Sequence, residues 1–499
     1  MQVILENHQE YQSIAEVLRM FFLEVGKLES GVILVADYEY SDIVLHSVVE
    51  REVSVEQMRN QADQTEISVQ SRIADSDLTI TAKVVPSALR REIKRQIYFL
   101  LSKLTGIHYP WGSLTGVRPT QVAYRSFLEN RRDKNQTIRD LIEKWYVAPE
   151  KAEIGLKTAV AESEILSDLL PELPMLYIGV PFCTTRCTYC SFITQDAINL
   201  GGELDIYVEA LLQEITEISA YFKRISKPFQ AIYMGGGTPT ALSDQGFAKV
   251  ITAIKEQVPQ IENCEITIEA GRPDSITPAK LAAIKIIPEA RICINPQTMH
   301  DRTLQTIGRN HSVKDVYRAY ELARTNDFSS INMDLILGLP DETGEEFLYS
   351  LDKILELNPE SITIHTMALK RSAFLQQQHA AQYLKLRFPD RELSNVFNIA
   401  IKKLAKQDYQ PYYLYRQKNV RGGLENIGFA KPGYACVYNV GMMSDQISVV
   451  GLGSGSSSKR VEGDRLERIY NSKDLTNYVE RLAEIIQRKI DFFAKGLGI

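Results

Sequence analysis

The central part of the chain alternates short apolar runs with longer amphipathic stretches. From Leu204 to Phe222, apolar residues recur at intervals of three and four, which is typical of a helix lying on a sheet. The pattern predicts repeated strand–helix units, and therefore a parallel sheet with right-handed crossovers. Spacing alone does not distinguish a partial barrel from an open sheet, but both collect ligands at the carboxyl ends of their strands. The six predicted strands are Leu176–Val180, Ala231–Met234, Ile266–Ile268, Ile292–Ile294, Ile331–Leu337 and Ser361–Ile364.

The two flanking regions follow different patterns. Residues 1 to about 85 alternate strand-like runs with one helical stretch near Ile14–Val25, and residues 87–169 have helical apolar spacing. Beyond residue 380, both ends are helical in spacing, and the middle is rich in Gly, Tyr and basic residues. These shifts predict an N-terminal α+β and helical accessory domain (1–165), a central domain (170–375), and a mostly helical C-terminal substrate-side region (380–499).

Composition and charge narrow the class of protein. With 499 residues, of which 44% are apolar and 24% charged, the chain is long enough for two or three packed cores. A net charge of -6 makes a nucleic-acid partner unlikely on bulk electrostatic grounds. No apolar run approaches the ~20 residues that cross a bilayer, and a secretion signal is not evident at the start. We therefore expect a cytoplasmic protein without a membrane span.

Three of the six cysteines crowd together after the first predicted strand. Cys183, Cys187 and Cys190 have the spacing C-x3-C-x2-C, and six cysteines are too few for a disulfide scaffold in a chain of this length. Three thiolates on a short loop can hold one face of a cubane iron–sulfur cluster and leave one iron open for another ligand. The alternative is a structural zinc site, which needs a fourth ligand that the nearby sequence does not supply.

In this motif, directly after a strand, the chain resembles the radical SAM superfamily. The resemblance implies an α/β fold, a partial (βα)6 TIM-like barrel of the radical SAM type. It also implies a 4Fe-4S cluster held by Cys183, Cys187 and Cys190. The open iron then chelates the amino and carboxylate groups of S-adenosyl-L-methionine, and an electron from the reduced cluster cleaves the sulfonium to a 5′-deoxyadenosyl radical.

The second strand leads into Gly235-Gly236-Gly237-Thr238-Pro239-Thr240, which resembles the family segment that holds the methionyl end of the cosubstrate. Further matches resemble the branch of oxygen-independent coproporphyrinogen III oxidase, notably the coproporphyrinogen dehydrogenase group with a long N-terminal extension. Taken one by one, the glycines could form a tight turn, Gln297 could cap a turn, and either carboxylate could be buried beside an Arg. Together, the resemblance implies that the cosubstrate is bound by Tyr177, Gly235, Gly236, Gly237, Thr238, Glu269, Gln297, Arg309 and Asp334.

The chain departs from this branch in two places. Where four-cysteine members continue C-x3-C-x2-C-x-C, this chain reads Cys190-Ser191-Phe192, in which it resembles relatives that bind, deliver or break open haem. The His-Asn motif of many haem-trafficking relatives is also not evident, and the nearest segment reads Tyr438-Asn439. The segment Tyr412–Lys418, with Arg421, combines rings and cations that suit a flat macrocycle bearing propionates, or else packs its tyrosines in a loop.

The resemblance implies a radical SAM oxidoreductase of tetrapyrrole metabolism that converts propionates of coproporphyrinogen III to vinyl groups. Two alternatives remain open: a haem-binding or haem-delivery protein of the same fold, and a radical SAM enzyme on another substrate, through haem ring opening or RNA modification. The implied partners are a tetrapyrrole or haem and a low-potential electron donor such as a flavodoxin or ferredoxin. The sequence assigns no catalytic residue beyond those that hold the cluster and the cosubstrate.

Overall fold

The structure is a computed structural model, and it describes residues 1–37, 39–51, 66–116, 118–190, 195–197, 201–368, 386, 389–417 and 420–495. The described residues form two compact units. The first comprises the described parts of Met1–Leu156, His379–Ser394 and Arg416–Leu424, and the second comprises the described parts of Lys157–Gln378, Asn395–Tyr415 and Glu425–Ile499. No helix in the described ranges has the length and apolar character that crossing a membrane requires.

The described residues form both helices and strands. The helices are α1 (Tyr11–Phe21), α2 (Leu89–Thr105), α3 (Pro119–Glu129), α4 (Lys134–Glu143), α5 (Pro149–Ser167), α6 (Glu203–Arg224), α7 (Asp244–Gln257), α8 (Pro278–Ile284), α9 (Asp301–Thr306), α10 (Val313–Thr325), α11 (Gly344–Leu357), α12 (Arg391–Ala405), α13 (Val437–Met443), α14 (Leu475–Glu480) and α15 (Leu482–Ala494). The strands are β1 (Gln2–Glu6), β2 (Val25–Glu29), β3 (Val32–Val35), β4 (Val44–Arg51), β5 (Ile67–Ile73), β6 (Thr79–Val84), β7 (Met175–Val180), β8 (Phe182–Cys183), β9 (Gln195–Asp196), β10 (Phe229–Gly236), β11 (Gln260–Glu269), β12 (Arg291–Cys293), β13 (Ile331–Leu337), β14 (Ser361–Thr366), β15 (Gln410–Tyr415), β16 (Asn426–Ala430), β17 (Val449–Leu452), β18 (Ser457–Glu462) and β19 (Arg465–Tyr470).

The first unit contains a six-stranded sheet of order β2-β3-β1-β4-β5-β6. Its neighbouring strands are antiparallel except for β1 and β4, which are parallel. Alternate strand residues such as Val3, Leu45 and Val69 are buried in one core with Leu18 of α1 and Ile97 of α2. Burial of every second residue is what an alternating apolar pattern predicts, and the predicted α+β character is confirmed.

The second unit contains the predicted (βα)6 arrangement. All six predicted strands are present and parallel, in the spatial order β14-β13-β12-β11-β10-β7, and all belong to an eleven-stranded sheet of the described residues. The apolar stripe of α6 is buried as its spacing predicts, through residues such as Leu211, Ile215 and Phe222. The first five of the six strands are each followed by at least one helix in the described residues, and α12 follows β14 later in the chain.

The C-terminal region differs from the mostly helical region that we predicted. Its described residues include α12 to α15, but also β15 to β19, which extend the sheet at both edges. In particular, β17 lies parallel to β7, with Val450 opposite Leu176. These strands are short, and Gly451 interrupts the apolar run of β17, so the pattern gave little strand signal. The glycine is required, because a Cβ there would lie 2.4 Å from the Ser457 carbonyl oxygen.

Candidate functional site

The three clustered cysteines lie beyond the carboxyl end of β7. Cys183 ends the short strand β8, and the turn that follows carries Cys187 and Cys190, joined by a backbone hydrogen bond of 3.1 Å from the Cys190 N–H to the Cys187 carbonyl. None of the three forms a disulfide with a described residue, and all three are partly buried. As the side chains stand, no three His, Cys, Asp or Glu groups in the described residues are close enough to share a metal ion. Ser191 and Phe192 stand where four-cysteine members of the branch continue with x-C, and both lie outside the described residues.

The surroundings of the thiols fit an iron–sulfur cluster. The guanidinium groups of Arg272 and Arg309 contact Cys187 and place positive charge beside its sulfur, which suits a negatively charged cluster. Burial raises the pKa of the Cys183 thiol, so that sulfur is kept protonated until a cation compensates its charge. Cysteine thiolates are also the usual protein ligands of iron–sulfur clusters, and three of them leave one iron open to another ligand. These residues can therefore hold the cluster that the motif implies.

Arg309 is buried beneath the cysteine loop. Its Nη1 donates to the Asn295 carbonyl at 2.6 Å and to the Gly271 carbonyl at 3.4 Å. Burial opposes its charge, but Tyr189 and Cys187 more than compensate, so the pKa of Arg309 is raised. Arg309 thus joins the loops after β11 and β12 to the cysteine loop, and its predicted contact with the cosubstrate stays a prediction.

The glycine segment closes against the start of the cysteine loop. The Gly237 N–H donates to the Val180 carbonyl at 2.8 Å, and the Thr238 N–H donates to the Phe182 carbonyl at 2.6 Å. Gly236 has φ +116°, and a Cβ there would lie 2.9 Å from the Val180 oxygen. At Gly237 a Cβ would lie 2.3 Å from the Phe182 oxygen. These two glycines are therefore required by the backbone of the cysteine loop itself.

Thr238 touches the first predicted ligand directly. Its Oγ1 lies 3.5 Å from Cys183 Sγ, and the threonine is buried. Gly235, two residues before Gly237, is crowded by side chains instead, since a Cβ there would lie 2.9 Å from the Glu269 carboxyl carbon. The segment therefore links Cys183 to the acidic end of β11.

Glu269 ends β11 and points into the barrel. It accepts a hydrogen bond from the Tyr233 hydroxyl of the neighbouring strand. Desolvation is the largest influence and raises the pKa of Glu269 to about 7; nearby Asp334 acts in the same direction, and the Tyr233 hydrogen bond acts against it. Part of its side chain is still accessible. A carboxyl group with this pKa can hold or release a proton near neutral pH.

Asp334 and His365 form a second polar pair inside the barrel. His365 Nε2 lies 3.5 Å from Asp334 Oδ2, and the Asn332 amide donates to Asp334 Oδ1 at 2.7 Å. Burial opposes the charge of both partners, but their contact outweighs it: the pKa of Asp334 is lowered and the pKa of His365 is raised. The Tyr415 hydroxyl lies 3.5 Å from the other ring nitrogen of His365. The contact therefore stabilises the charged forms of both side chains, the Asp334 carboxylate and the His365 imidazolium.

Gln297 follows β12 in the left-handed backbone region, at φ +70°. Its N–H donates to the Asp334 carbonyl at 2.9 Å, and its carbonyl accepts from the Ile336 N–H at 3.0 Å, so the backbone here extends the pairing with β13. The side-chain Oε1 is buried and has no hydrogen-bond partner among the described residues. A buried acceptor without a donor is costly, and a ligand N–H or O–H would relieve that cost.

Tyr177 faces the barrel interior with two other tyrosines. Its ring centroid lies 6.4 Å from those of Tyr233 and Tyr438, and the latter two are 4.8 Å apart, all with near-parallel planes. Burial raises the pKa of Tyr177, and Glu269 adds to the effect, so its hydroxyl stays neutral. The Tyr177 ring therefore lines the barrel interior near the end of β7 and lies next to Gly179.

The structure brings most of the predicted site residues together at this end of the sheet. Tyr177, Glu269 and Asp334 share the barrel interior, Thr238 contacts Cys183, and Gln297 pairs with β13 by its backbone. Whether they bind a cosubstrate stays a prediction. The sequence analysis missed the Arg272, Asp274, His311, Thr184 and Thr185 side chains, which surround the cysteine loop. The position of Arg272 and Asp274 after β11, at the active end, could have indicated them.

The tyrosine-rich segment does not form the exposed stacking surface that we considered. Tyr412 and Tyr413 are only 4% and 6% exposed, and both belong to β15. Arg416 is also buried, and it donates to the carbonyls of Leu114 and Gly423. These tyrosines are therefore packed, but in a strand that is buried from Pro411 to Leu414 and not in a loop. Lys418 lies outside the described residues.

Comparisons with known proteins agree with this site. Residues 177–354 match the family described as the Radical SAM superfamily. The chain is 34% identical over 411 residues to the oxygen-independent coproporphyrinogen-III oxidase-like protein HemZ of Bacillus subtilis (strain 168), covering 81% of each chain. It is 29% identical over 293 residues to the heme chaperone HemW of Escherichia coli (strain K12), covering 58% of this chain and 71% of HemW. The solved structure of coproporphyrinogen III oxidase (HemN) from Escherichia coli is similar with a TM-score of 0.50 at 22% identity, over 65% of this chain and 73% of HemN, which shows a shared fold.

Proposed function

Because the chain belongs to the radical SAM superfamily, within the oxygen-independent coproporphyrinogen-III oxidase-like proteins, we propose that it is an oxidoreductase that decarboxylates propionates of a tetrapyrrole. The favoured substrate is coproporphyrinogen III, whose propionates become vinyl groups. The observation that carries this proposal is the match to the oxidase-like protein of Bacillus subtilis, which extends over 81% of both chains and is not limited to the cysteine motif.

When bound, the cluster and S-adenosyl-L-methionine would supply a carbon radical able to abstract a hydrogen atom from the propionate carbon next to the ring. The propionate would then lose its carboxyl group as carbon dioxide and one electron to a one-electron acceptor. These losses account for the new double bond. A low-potential donor such as a flavodoxin or ferredoxin would reduce the cluster.

This chain's own residues would bind and orient the reactants. In the proposal, Cys183, Cys187 and Cys190 hold the cluster, and the cosubstrate contacts Gln297 through the unpartnered Oε1. Glu269, with a pKa of about 7, can accept or donate a proton at the barrel interior. The Asp334–His365 pair presents a cationic ring edge next to an anion, which suits a reactant that carries both ammonium and carboxylate groups.

A second candidate function is haem binding or delivery by a protein of the same fold. The observation that favours it is the match to heme chaperones, at 29% identity over 71% of the Escherichia coli protein. The sequence Cys190-Ser191-Phe192 agrees with it as well, because the fourth cysteine of the oxidase motif is replaced. Under this hypothesis the protein binds haem stoichiometrically and does not consume the cosubstrate.

One experiment separates the two functions. The reconstituted protein is reduced without oxygen and incubated with S-adenosyl-L-methionine and either coproporphyrinogen III or haem, and products are identified by mass spectrometry. Loss of the carboxyl groups of two propionates as carbon dioxide, together with formation of 5′-deoxyadenosine, supports the oxidase. A stoichiometric Soret band without 5′-deoxyadenosine supports the haem carrier. The matched control is Cys187→Ala, which should abolish the first result. Haem consumption with 5′-deoxyadenosine would instead indicate ring opening.

A further inference from the structure

Arg272 lies directly against the cysteine loop. Its side chain is 3% exposed, and its Nη1 donates to Cys187 Sγ at 3.6 Å and to the Thr185 carbonyl at 3.4 Å. Its Nη2 donates to Thr185 Oγ1 at 2.7 Å. One guanidinium group thus contacts a predicted cluster ligand and the residue two positions before it. A planar group with five donors can make these bonds at once.

Three other side chains, those of Asp274, Thr184 and His311, fix the position of this guanidinium. Asp274 accepts from Arg272 Nε at 3.1 Å and from Thr184 Oγ1 at 3.0 Å, and His311 Nδ1 lies 3.5 Å from Asp274 Oδ1. The cysteine loop is also tied to the residues before His311, because Thr185 Oγ1 donates to the Gly308 carbonyl at 3.1 Å. Arg272 therefore sits between a carboxylate that orients it and a sulfur to which it donates.

A hydrogen bond or positive charge at a ligating sulfur stabilises the reduced form of an iron–sulfur cluster, because reduction adds negative charge to the cluster and its thiolates. Asp274 accepts hydrogen bonds from Nε and Nη2 of Arg272, and Nη1 is the nitrogen that donates to Cys187 Sγ. The carboxylate and the sulfur are therefore bound by different nitrogens of the guanidinium. A residue that served the fold alone would not need to present one of them to the sulfur.

We propose that Arg272 is a positioning residue for the cluster: it fixes the loop at Thr185 and Cys187, and its bond to the Cys187 sulfur raises the reduction potential of the cluster. The inference concerns the cluster alone and does not depend on the tetrapyrrole substrate. It holds equally if the protein carries haem, so its failure and the failure of the proposed function are distinguishable.

The test measures iron content and the reduction potential of the reconstituted full-length protein, without cosubstrate or substrate. In Arg272→Gln, we expect the ratio of reduced to oxidised cluster, at the wild-type midpoint, to fall about tenfold, equal to ~59 mV for one electron. Arg272→Lys keeps the charge but loses the paired donors, and should fall between the two. The spectrum of the reduced cluster, measured by electron paramagnetic resonance, should change in the same order.

Two control variants separate this effect from general damage. Arg302→Gln removes an exposed arginine whose ion-pair partner is Glu346, and it should leave the reduction potential unchanged. Thr184→Val removes one bond to Asp274 but none from Arg272, and should change the potential less than Arg272→Gln does.

A wild-type potential in iron-replete Arg272→Gln overturns the proposal. If Arg272→Gln loses its iron while Thr184→Val retains it, the positioning role is supported, and Arg272→Lys decides the effect on the potential. A wild-type potential in Arg272→Lys then overturns the proposal, because the paired donors to Thr185 and Cys187 are lost. A folded Arg272→Lys that cannot hold iron supports the positioning role for the same reason.

Discussion

Glu265 and Lys459 bind the two ends of one short helix, α13. The Glu265 carboxylate accepts from the N–H groups of Val437 and Tyr438, both at 2.9 Å. Lys459 Nζ donates to the carbonyls of Gly441, Met442 and Ser444, at 3.2, 2.9 and 2.7 Å. An anion at the N-terminus and a cation at the C-terminus match the helix dipole. The pair thereby holds the Tyr438 ring 4.8 Å from Tyr233, next to the acidic end of β11.

Loss of either cap should destabilise the protein. Lys459 is 1% exposed, so Lys459→Met leaves three buried carbonyls without a charged donor. We expect a loss of about 2–4 kcal/mol in the free energy of unfolding, and a similar loss for Glu265→Ala. Urea unfolding followed by circular dichroism measures both. Lys249→Met, at an exposed pair with Glu209, is the matched control and should unfold at the wild-type midpoint; equal effects in all three variants would contradict the capping role.

Among the cysteines, only the clustered three should determine the iron content. Replacing Cys183, Cys187 or Cys190 with serine should reduce bound iron from about four atoms per chain to less than one after anaerobic reconstitution. Cys264→Ser is the control, since that thiol is partly exposed and contacts the Glu265 carbonyl at 3.7 Å, away from the loop. Iron and sulfide assays give the result, and full iron in the serine variants would exclude the cluster assignment.

Stability should decline as pH rises from about 4.5 to 7. Desolvation raises the pKa of both Glu269 and Glu342 to about 7. In this window the unfolded chain has released protons that the folded protein still binds, so folding becomes less favourable with each step up in pH. Below about 4.5 both states are protonated, and above about 7 both have lost the proton.

Isosteric variants test the origin of that slope. Glu269→Gln and Glu342→Gln remove one titrating group each, and each should flatten the decline by on the order of 2 kcal/mol between pH 5 and 7. Thermal unfolding at a series of pH values gives the comparison with wild type. The raised pKa of His365 makes stability fall above about 6.5, and Glu269 is one cause of that shift. Glu342→Gln therefore reports on its own carboxyl alone, whereas Glu269→Gln also changes the contribution of His365. Unchanged slopes in both variants would show that neither carboxyl is perturbed.

Gln297 should contribute to binding of S-adenosyl-L-methionine. Gln297→Asn shortens the side chain but tolerates the left-handed backbone, so strain does not confuse the result. We expect about tenfold weaker binding, near 1.4 kcal/mol, by anaerobic calorimetry on the reconstituted protein. Gln305→Asn, on an exposed position of α9, is the control. Equal affinity in the two variants would remove Gln297 from the cosubstrate site.

The strands of the central sheet were predictable because each carries a short apolar or β-branched run. Buried parallel strands need apolar residues on both faces, and Ala231–Met234 of β10 shows the pattern. The run at Val449–Leu452 has only four residues and contains Gly451, so its pattern gives little strand signal, yet it forms β17. Local pattern identifies strands that are apolar throughout, and fails where close packing against another backbone requires glycine.

The site was predictable where a motif lies within one loop, and less so where distant loops meet. Eight consecutive positions contain the three clustered cysteines, Cys183, Cys187 and Cys190. Their spacing indicated the predicted ligand set. Arg272 reaches Cys187 across 85 residues of sequence, and no local pattern marks that contact. Only the three-dimensional arrangement of the loops after β7 and β11 brings these two side chains together.

The place of β17 has a consequence for how the protein is made. The strand β7, which leads into the cysteine loop, lies between β10 and β17, and β17 begins at Val449. During synthesis β7 keeps an open edge until β17 has been made, and such long-range pairing is slow. The strand that leads into the cysteine loop is therefore completed on its second edge only when a distant part of the chain pairs with it.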